Sequence, residues 1–262
     1  MRITAGCRIA ALLSVLACQT ATAAVVLEGT RIIHDAGKGR DVTLKSVNSG
    51  EHAALTQAWI DTGDSHTRPE DVRTPFRITP SVPRLLQPQD GQAWRITYAP
   101  GPSDAPLPQD RESLFYFNLL DIPPKPTDAQ GGNLLQFAVR SRIKLFHRPA
   151  GLKGRPEDAA AGLTWAIHDR EIRIGNPSVY HVNLSTLMLS DDTSLDLDLI
   201  PPGGHRTVML PADAAIPVSL TYMWLDDYGA TRSGTAALGR LASEAADSSA
   251  RSSPGADQAD AD

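Results

Sequence analysis

Seven histidines, at positions 34, 52, 66, 147, 168, 181 and 205, are the side chains best placed by type for chemistry near neutral pH. Their spacing argues against it. No two stand four apart as on a metal-binding helix, and none alternates as His-x-His on a strand, so hydrogen-bonded or solvated imidazoles are expected rather than a metal site. The chain has no Gly-x-Ser-x-Gly elbow for a nucleophile and no phosphate-cradling loop, and Gly37-Lys38-Gly39 reads as a turn. Asp191-Asp192 and Asp226-Asp227 are paired carboxylates. Neighbours on a strand point to opposite faces, however, so neither pair is expected to share a proton as an acid–base dyad. No catalytic residue, metal ligand or cofactor is therefore assigned, and an enzyme is not expected.

What remains is a pattern suited to binding. Residues 107–149 open with LPQDRESLFYFNLLDIPP, an apolar run closed by Pro123 and Pro124, pass through a polar glycine-rich loop, and end in NLLQFAVRSRIKLFHRP. In the second run Leu135, Phe137 and Val139 share one parity and Gln136, Ala138 and Arg140 the other. The run then turns basic at Arg142, Lys144 and Arg148. A period of two, with breakers between the runs, predicts two strands rather than a helix. Large side chains on one parity with a cation near the strand's end suit pairing with a partner. Taken alone, Leu135, Phe137 and Val139 also fit the core face of an ordinary strand, and Arg31 and Lys144 also fit solvated strand charges.

The strings DRESLFYFNLLDIPP and RIKLFHRP resemble signature regions of the periplasmic pilus (fimbrial) assembly chaperones of the chaperone–usher pathway, the PapD-like family. EGTRIIHD, QAWID, TPFRITPSVPRLLQP, NPSVYHVNLS and LDDYG follow in the family's order and at similar spacing, so the resemblance covers roughly residues 24–240. It implies an all-β protein of two immunoglobulin-like β-sandwich domains arranged at an angle, boomerang-like, with a cleft between them. It implies that Arg31 and Lys144 grip the C-terminal carboxylate of a pilin subunit in that cleft, where charge-assisted hydrogen bonds contribute about 1.5–3 kcal/mol each. Leu135, Phe137 and Val139 would supply a strand that the pilin's own sandwich lacks, a form of β-strand addition called donor-strand complementation. Glu112, Arg148 and Asp227 would form an interdomain charge network that orients the two sandwiches. The partners implied are pilin (fimbrial) subunits and an outer-membrane usher, with no cofactor; an exposed strand edge would also allow a self-capping homodimer when no client is bound. The rival reading is an exported immunoglobulin-like adhesin or carbohydrate-binding module that uses Trp59, Trp94 or Trp165 as its platform. Against it, aromatics make up 5% of the chain and these tryptophans fall within predicted strands, where core packing is the commoner task.

The elements that must position these residues follow from punctuation. Residues 1–23 read as a cleavable export signal, with Arg2 and Arg8 ahead of an apolar run from Ile9 to Ala17 and a small-residue cleavage site at Ala21-Thr22-Ala23. That run is too short to span a bilayer, and no later one is long and apolar enough. Val15-Leu16-Ala17-Cys18 offers a competing lipid-attachment site at Cys18. Cleavage would deliver the protein to the periplasm without either cysteine, Cys7 or Cys18, so its folding would rest on burial and hydrogen bonding. The formal net charge is −5, and there is no basic field to attract nucleic acid.

Twenty prolines and twenty glycines cut the chain into short apolar runs, the pattern of β-sandwiches. Residues 24–148 form the predicted N-terminal domain, with strands at 25–34, 42–47, 54–60, 76–79, 93–99, 114–122 and 134–146 and a hairpin turn at 35–39. Residues 149–158 read as a linker. Residues 159–240 form a second β domain with strands at 163–168, 171–174, 180–189, 195–200, 206–210, 218–224 and 235–238. Residues 241–262 are Ala, Ser and acids with almost no large apolar side chain, so disorder is expected.

Overall fold

A computed structural model describes residues 24–125, 136–189 and 193–240. The predicted export signal, Leu135, Asp191-Asp192 and the acidic tail lie outside the described residues. The chain divides into two compact units. Among the described residues the first holds 24–34, 38–106 and 114–146, and the second holds 35–37, 107–113 and the chain from His147 onward.

In chain order the strands of the first part are β1 (Val25–Leu27), β2 (Arg31–Asp35), β3 (Asp41–Asn48), β4 (Ala54–Asp61), β5 (Phe76–Thr79), β6 (Arg84–Leu86), β7 (Gly91–Tyr98), β8 (Ser113–Ile122) and β9 (Val139–Arg148). They form two sheets, ordered β1-β3-β7-β5 and β2-β9-β8-β4-β6. Alternation explains the packing. In β3, Leu44, Ser46 and Asn48 are buried while Thr43 and Lys45 are not, and the antiparallel register sets Leu44 opposite Trp94 of β7. Trp94 is fully buried, and its indole N–H donates to the Ser46 hydroxyl at 2.9 Å, which satisfies two polar groups inside the core. Ile96, Phe117, Leu119 and Leu145 complete that core, with Phe76 edge-on to Phe115 at 5.1 Å between centroids.

Apart from the start of β9, three features of these nine strands differ from the sequence reading. The single strand expected at 25–34 is broken at Gly29, whose φ of +154° is rare for side-chain-bearing residues. The break lets β1 join one sheet and β2 the other. For the same reason the turn at 35–39 is not a hairpin, since β2 and β3 belong to different sheets. Finally, β6 was missed because Pro83 and Pro88 flank it closely; proline confines a strand to an edge, and β6 is one.

The second unit holds a short helix, α1 (Pro156–Ala159), then β10 (Thr164–His168), β11 (Glu171–Gly175), β12 (Val182–Met188), β13 (Ser194–Asp196), β14 (Leu199–Ile200), β15 (His205–Met209), β16 (Ser219–Leu225), β17 (Thr231–Ala237) and β18 (Gly239–Arg240). Its sheets are β15-β11-β10-β18 and β13-β12-β16-β17, with β14 also on β12. Ile172, Ile174, Leu187 and Ile200 are wholly buried at its centre. No disulfide is available to it, so polar knots in loops matter more. Buried Asn176 donates from Nδ2 to the carbonyls of Tyr180, Ile200 and Pro201 at 2.7–3.1 Å and accepts from the Ser178 N–H and hydroxyl. Asn176→Ala strands those carbonyls, and we predict a loss of about 2–4 kcal/mol in unfolding free energy, read from urea midpoints at unchanged slope.

Candidate functional site

β9 carries most of the site. Its first residue, Val139, is 37% exposed, and Phe137 just ahead of it is 62% exposed. Val139 shares parity with Leu145, which is completely buried. The core-facing side of β9 therefore runs on past the point where its own sandwich covers it. The expected strand started at Leu134, whereas regular pairing starts at Val139. The reason is on the neighbouring strand: β8 ends at Ile122 and is followed by Pro123 and Pro124, which have no N–H to extend a ladder. Gln136 meets that segment with its side chain instead, Nε2 donating to the Pro123 carbonyl at 2.7 Å. The third side chain of the expected stripe, Leu135, lies outside the described residues.

The other edge of β9 is only half covered. β2 is its neighbour there, with five residues against ten. The Ala36 N–H donates to the Arg148 carbonyl at 2.9 Å, which ties the end of β2 to the end of β9. Both strands approach that bond from their N-terminal side, so they run parallel and β2 covers the C-terminal half. Among the described residues, no strand covers that edge near Val139.

By the same geometry the two expected anchor cations fall at similar levels on adjacent strands. Arg31 lies five residues before Ala36 and Lys144 four before Arg148. At about 3.3 Å per residue, the two start within roughly one residue of each other along adjacent strands. Both are partly exposed, and both lie in the first unit.

The remaining basic residues of β9 behave differently. Arg142 donates to Asp61 of β4 from Nη2 (2.6 Å) and Nε (3.2 Å), donates to the Gly63 carbonyl, and lies 3.7 Å over the ring of Tyr116 in β8. Asp61 also accepts from the Asn118 amide and the Gly63 N–H, both at 2.8 Å. Burial pushes the Asp61 carboxyl up, but the bonds from Arg142, Asn118 and Gly63 outweigh it and hold it below the usual carboxylate range. Arg140 donates to the Ser65 carbonyl at 2.8 Å and sits over Trp59. These arginines brace β9 against its own sandwich.

Glu112, Arg148 and Asp227 do come together, and all three belong to the second unit as delimited above. Arg148 pairs with Asp227 through two bonds of 2.6 and 2.8 Å and with Glu112 through Nε. Burial works against its charge, yet the two carboxylates raise the guanidinium pKa further, so Arg148 stays cationic. Two members were missed by sequence reasoning. The His181 N–H donates to Glu112 at 2.8 Å with Nδ1 3.1 Å away, and Arg148 lies 5.3 Å over the Tyr180 ring. The only sequence signal for them was their place inside NPSVYHVNLS. Asp226, beside Asp227, instead accepts from the N–H groups of Tyr228 and Ala230, so the pair sits in a turn rather than on a strand and acts at two separate places.

The tryptophan platform of the rival reading is not formed. Trp94 is inside the core, Trp165 packs against Tyr222 at 4.9 Å between centroids, and Trp59 is half-buried beneath Arg140.

Residues 24–153 match the family model described as "Pili and flagellar-assembly chaperone, PapD N-terminal domain", and residues 158–236 match "Pili assembly chaperone PapD, C-terminal domain". The chain belongs to the PapD-like pilus-assembly chaperones. Its relatives include the chaperone protein HifB of Haemophilus influenzae, 39% identical over 220 residues (83% of this chain, 89% of that one). The chaperone protein FimB/FhaD of Bordetella pertussis is 38% identical over 233 residues (87% and 93%). Among solved structures, the Salmonella enterica SafB chaperone, determined with the SafA pilin, superimposes with a TM-score of 0.70 at 24% identity, covering 84% of this chain and 98% of that one. The PapD-like fold and role as a fimbrial chaperone follow, and the immunoglobulin-like adhesin reading is set aside. No helix of the described residues is long and apolar enough to cross a membrane.

In this chaperone the Asp61–Arg142 contact can be tested by itself. Because the Asp61 pKa is depressed in the fold, its stabilisation is present above the unfolded value near 4 and is lost as pH falls through the folded value. Asp61→Asn should cost about 1–3 kcal/mol at pH 7, and its urea midpoint should converge on that of the unaltered protein as the pH falls through the folded Asp61 value.

Proposed function

We propose that this chaperone works in the periplasm after removal of residues 1–23, binds a newly exported pilin subunit along β9, and delivers it to an outer-membrane usher. The observation that carries the reading is the start of β9, where an apolar stripe and an open strand edge coincide. Phe137 and Val139 are exposed there, although burying each would be worth about 1.5–3 kcal/mol. An uncovered edge with apolar side chains is an aggregation hazard unless a partner completes it. A pilin with an incomplete sandwich is such a partner: its edge would take the backbone hydrogen bonds of β9 and its groove would take Phe137, Val139 and Leu135.

Arg31 and Lys144 would bind the subunit's terminal carboxylate. A fixed ionic contact at one end of an extended pairing sets the register, because a slip of one residue would turn every side chain to the opposite face. Affinity then comes mainly from the stripe and alignment from the cations. Without a client, two copies would cap each other's open edges as a homodimer. Glu112, Arg148 and Asp227, with His181, would fix the segments that carry them, a specifying role more than a large stabilising one.

Co-expression with a candidate fimbrial subunit from the same organism tests the reading. Arg31→Ala and Lys144→Ala should each abolish co-purification of the subunit with unchanged far-ultraviolet circular dichroism, and retained capture would refute the anchor. Phe137→Glu should weaken capture by roughly ten- to a hundredfold while leaving the unfolding midpoint in place. A drop in that midpoint would instead assign Phe137 to the protein's own core.

A further inference from the structure

Asp121, in β8, is 5% exposed, and among the described residues no arginine, lysine or histidine pairs with it. Its Oδ2 accepts from the backbone nitrogens of Ala24 and Val25, each at 3.0 Å. Its Oδ1 is buried and, among the described residues, has no hydrogen-bond partner. A buried carboxylate with one oxygen unmatched is costly, and the group it faces is the backbone nitrogen of residue 24. That residue is held firmly. The Ser49 N–H donates to the Ala24 carbonyl at 2.7 Å, Val25 pairs with Asn48, and a Cβ added to Gly50 would lie 2.7 Å from the Ala24 Cβ.

We infer that Asp121 is the receptor for the protein's processed amino terminus, the free ammonium of Ala24, and that processing completes the first sandwich. The inference rests on the reading above that residues 1–23 are an export signal. Hydrolysis of the Ala23–Ala24 peptide by a signal-peptidase-class enzyme consumes one water. Ala23 leaves as a carboxylate, and the Ala24 nitrogen, formerly an amide with one hydrogen, becomes an ammonium with three. One hydrogen keeps the existing bond to Oδ2, another can serve Oδ1, and the buried negative charge gains the cation that no described side chain supplies. Before cleavage the same nitrogen offers a single neutral donor. The pairing would thus distinguish the processed chain from its precursor, and it would set the first residue of the mature protein at a position where its nitrogen is already seated.

The full chain, exported and purified from the periplasm, provides the test. Intact mass and N-terminal sequencing should place the start at Ala24. Retention of residues 1–23, or a lipidated start at Cys18, would overturn this inference together with the export reading. The folded protein is then acetylated with a limiting active ester at pH 7 and the N-terminal peptide is quantified. A carboxylate that keeps the amine charged by one further pKa unit lowers the reactive fraction about tenfold. Modification should therefore be at least about tenfold slower than in the urea-unfolded protein, and folded Asp121→Asn should lose that protection. If the α-amine of a protein starting at Ala24 reacts as fast folded as unfolded, the inference fails while the export reading stands. Unchanged protection in a folded Asp121→Asn variant would overturn it as well. Should that variant not fold, the folded-against-unfolded comparison still decides.

Discussion

A β-strand has two hydrogen-bonding edges, and a protein that leaves one open must either conceal it or use it. In this chaperone β9 is ten residues long and its neighbour β2 is five, and the bond from Ala36 to Arg148 fixes which half is covered. The uncovered half is also where the apolar parity of β9 outruns its own core, from buried Leu145 to exposed Val139 and Phe137. Backbone polarity and side-chain hydrophobicity are thus left incomplete at one place. A second strand with a matching groove satisfies both at once, which is why strand addition suits this surface better than docking of a flat face.

A strand that serves as a template must hold its shape before the partner arrives, because ordering it on binding would subtract from affinity. The cations of β9 supply that stiffness. Arg142 is tied to Asp61, Gly63 and the Tyr116 ring across the sheet, and Arg140 to the loop at Ser65. At the far end, Arg148 is held by Glu112 and Asp227, with His181 on the same carboxylate. Within what looked in the sequence like one basic run, Arg142 and Arg148 brace the fold, and Lys144 stands at about the level of Arg31 on the adjacent strand.

Asp121 applies the same logic at the start of β1. Its strand ends in the IPP segment that stops the β8 ladder, and its carboxylate reaches the first residues of β1 in the opposite sheet. Ala24 and Val25 are thereby bound to the strand beside β9, so the integrity of the first sandwich and the firmness of the template are linked through β8.

Much of this was legible in the sequence. The period-two runs located nearly every strand, the Pro123-Pro124 pair announced the end of β8, and the motif set from EGTRIIHD to LDDYG indicated the family. These are local signals, set by side-chain alternation and backbone permissiveness within a few residues, and they survive without a three-dimensional context. Sheet membership did not: Gly29 gave no sign that β1 and β2 would part to different sheets. Nor did ionic partners, because Arg142 and Asp61 are 81 residues apart, and Arg148 and Asp227 are 79 apart. The sequence by itself determined which segments are strands and which side chains alternate on them. Only the tertiary structure decided where an apolar stripe loses its cover and which charges are already matched, because both depend on how far each distant neighbour extends.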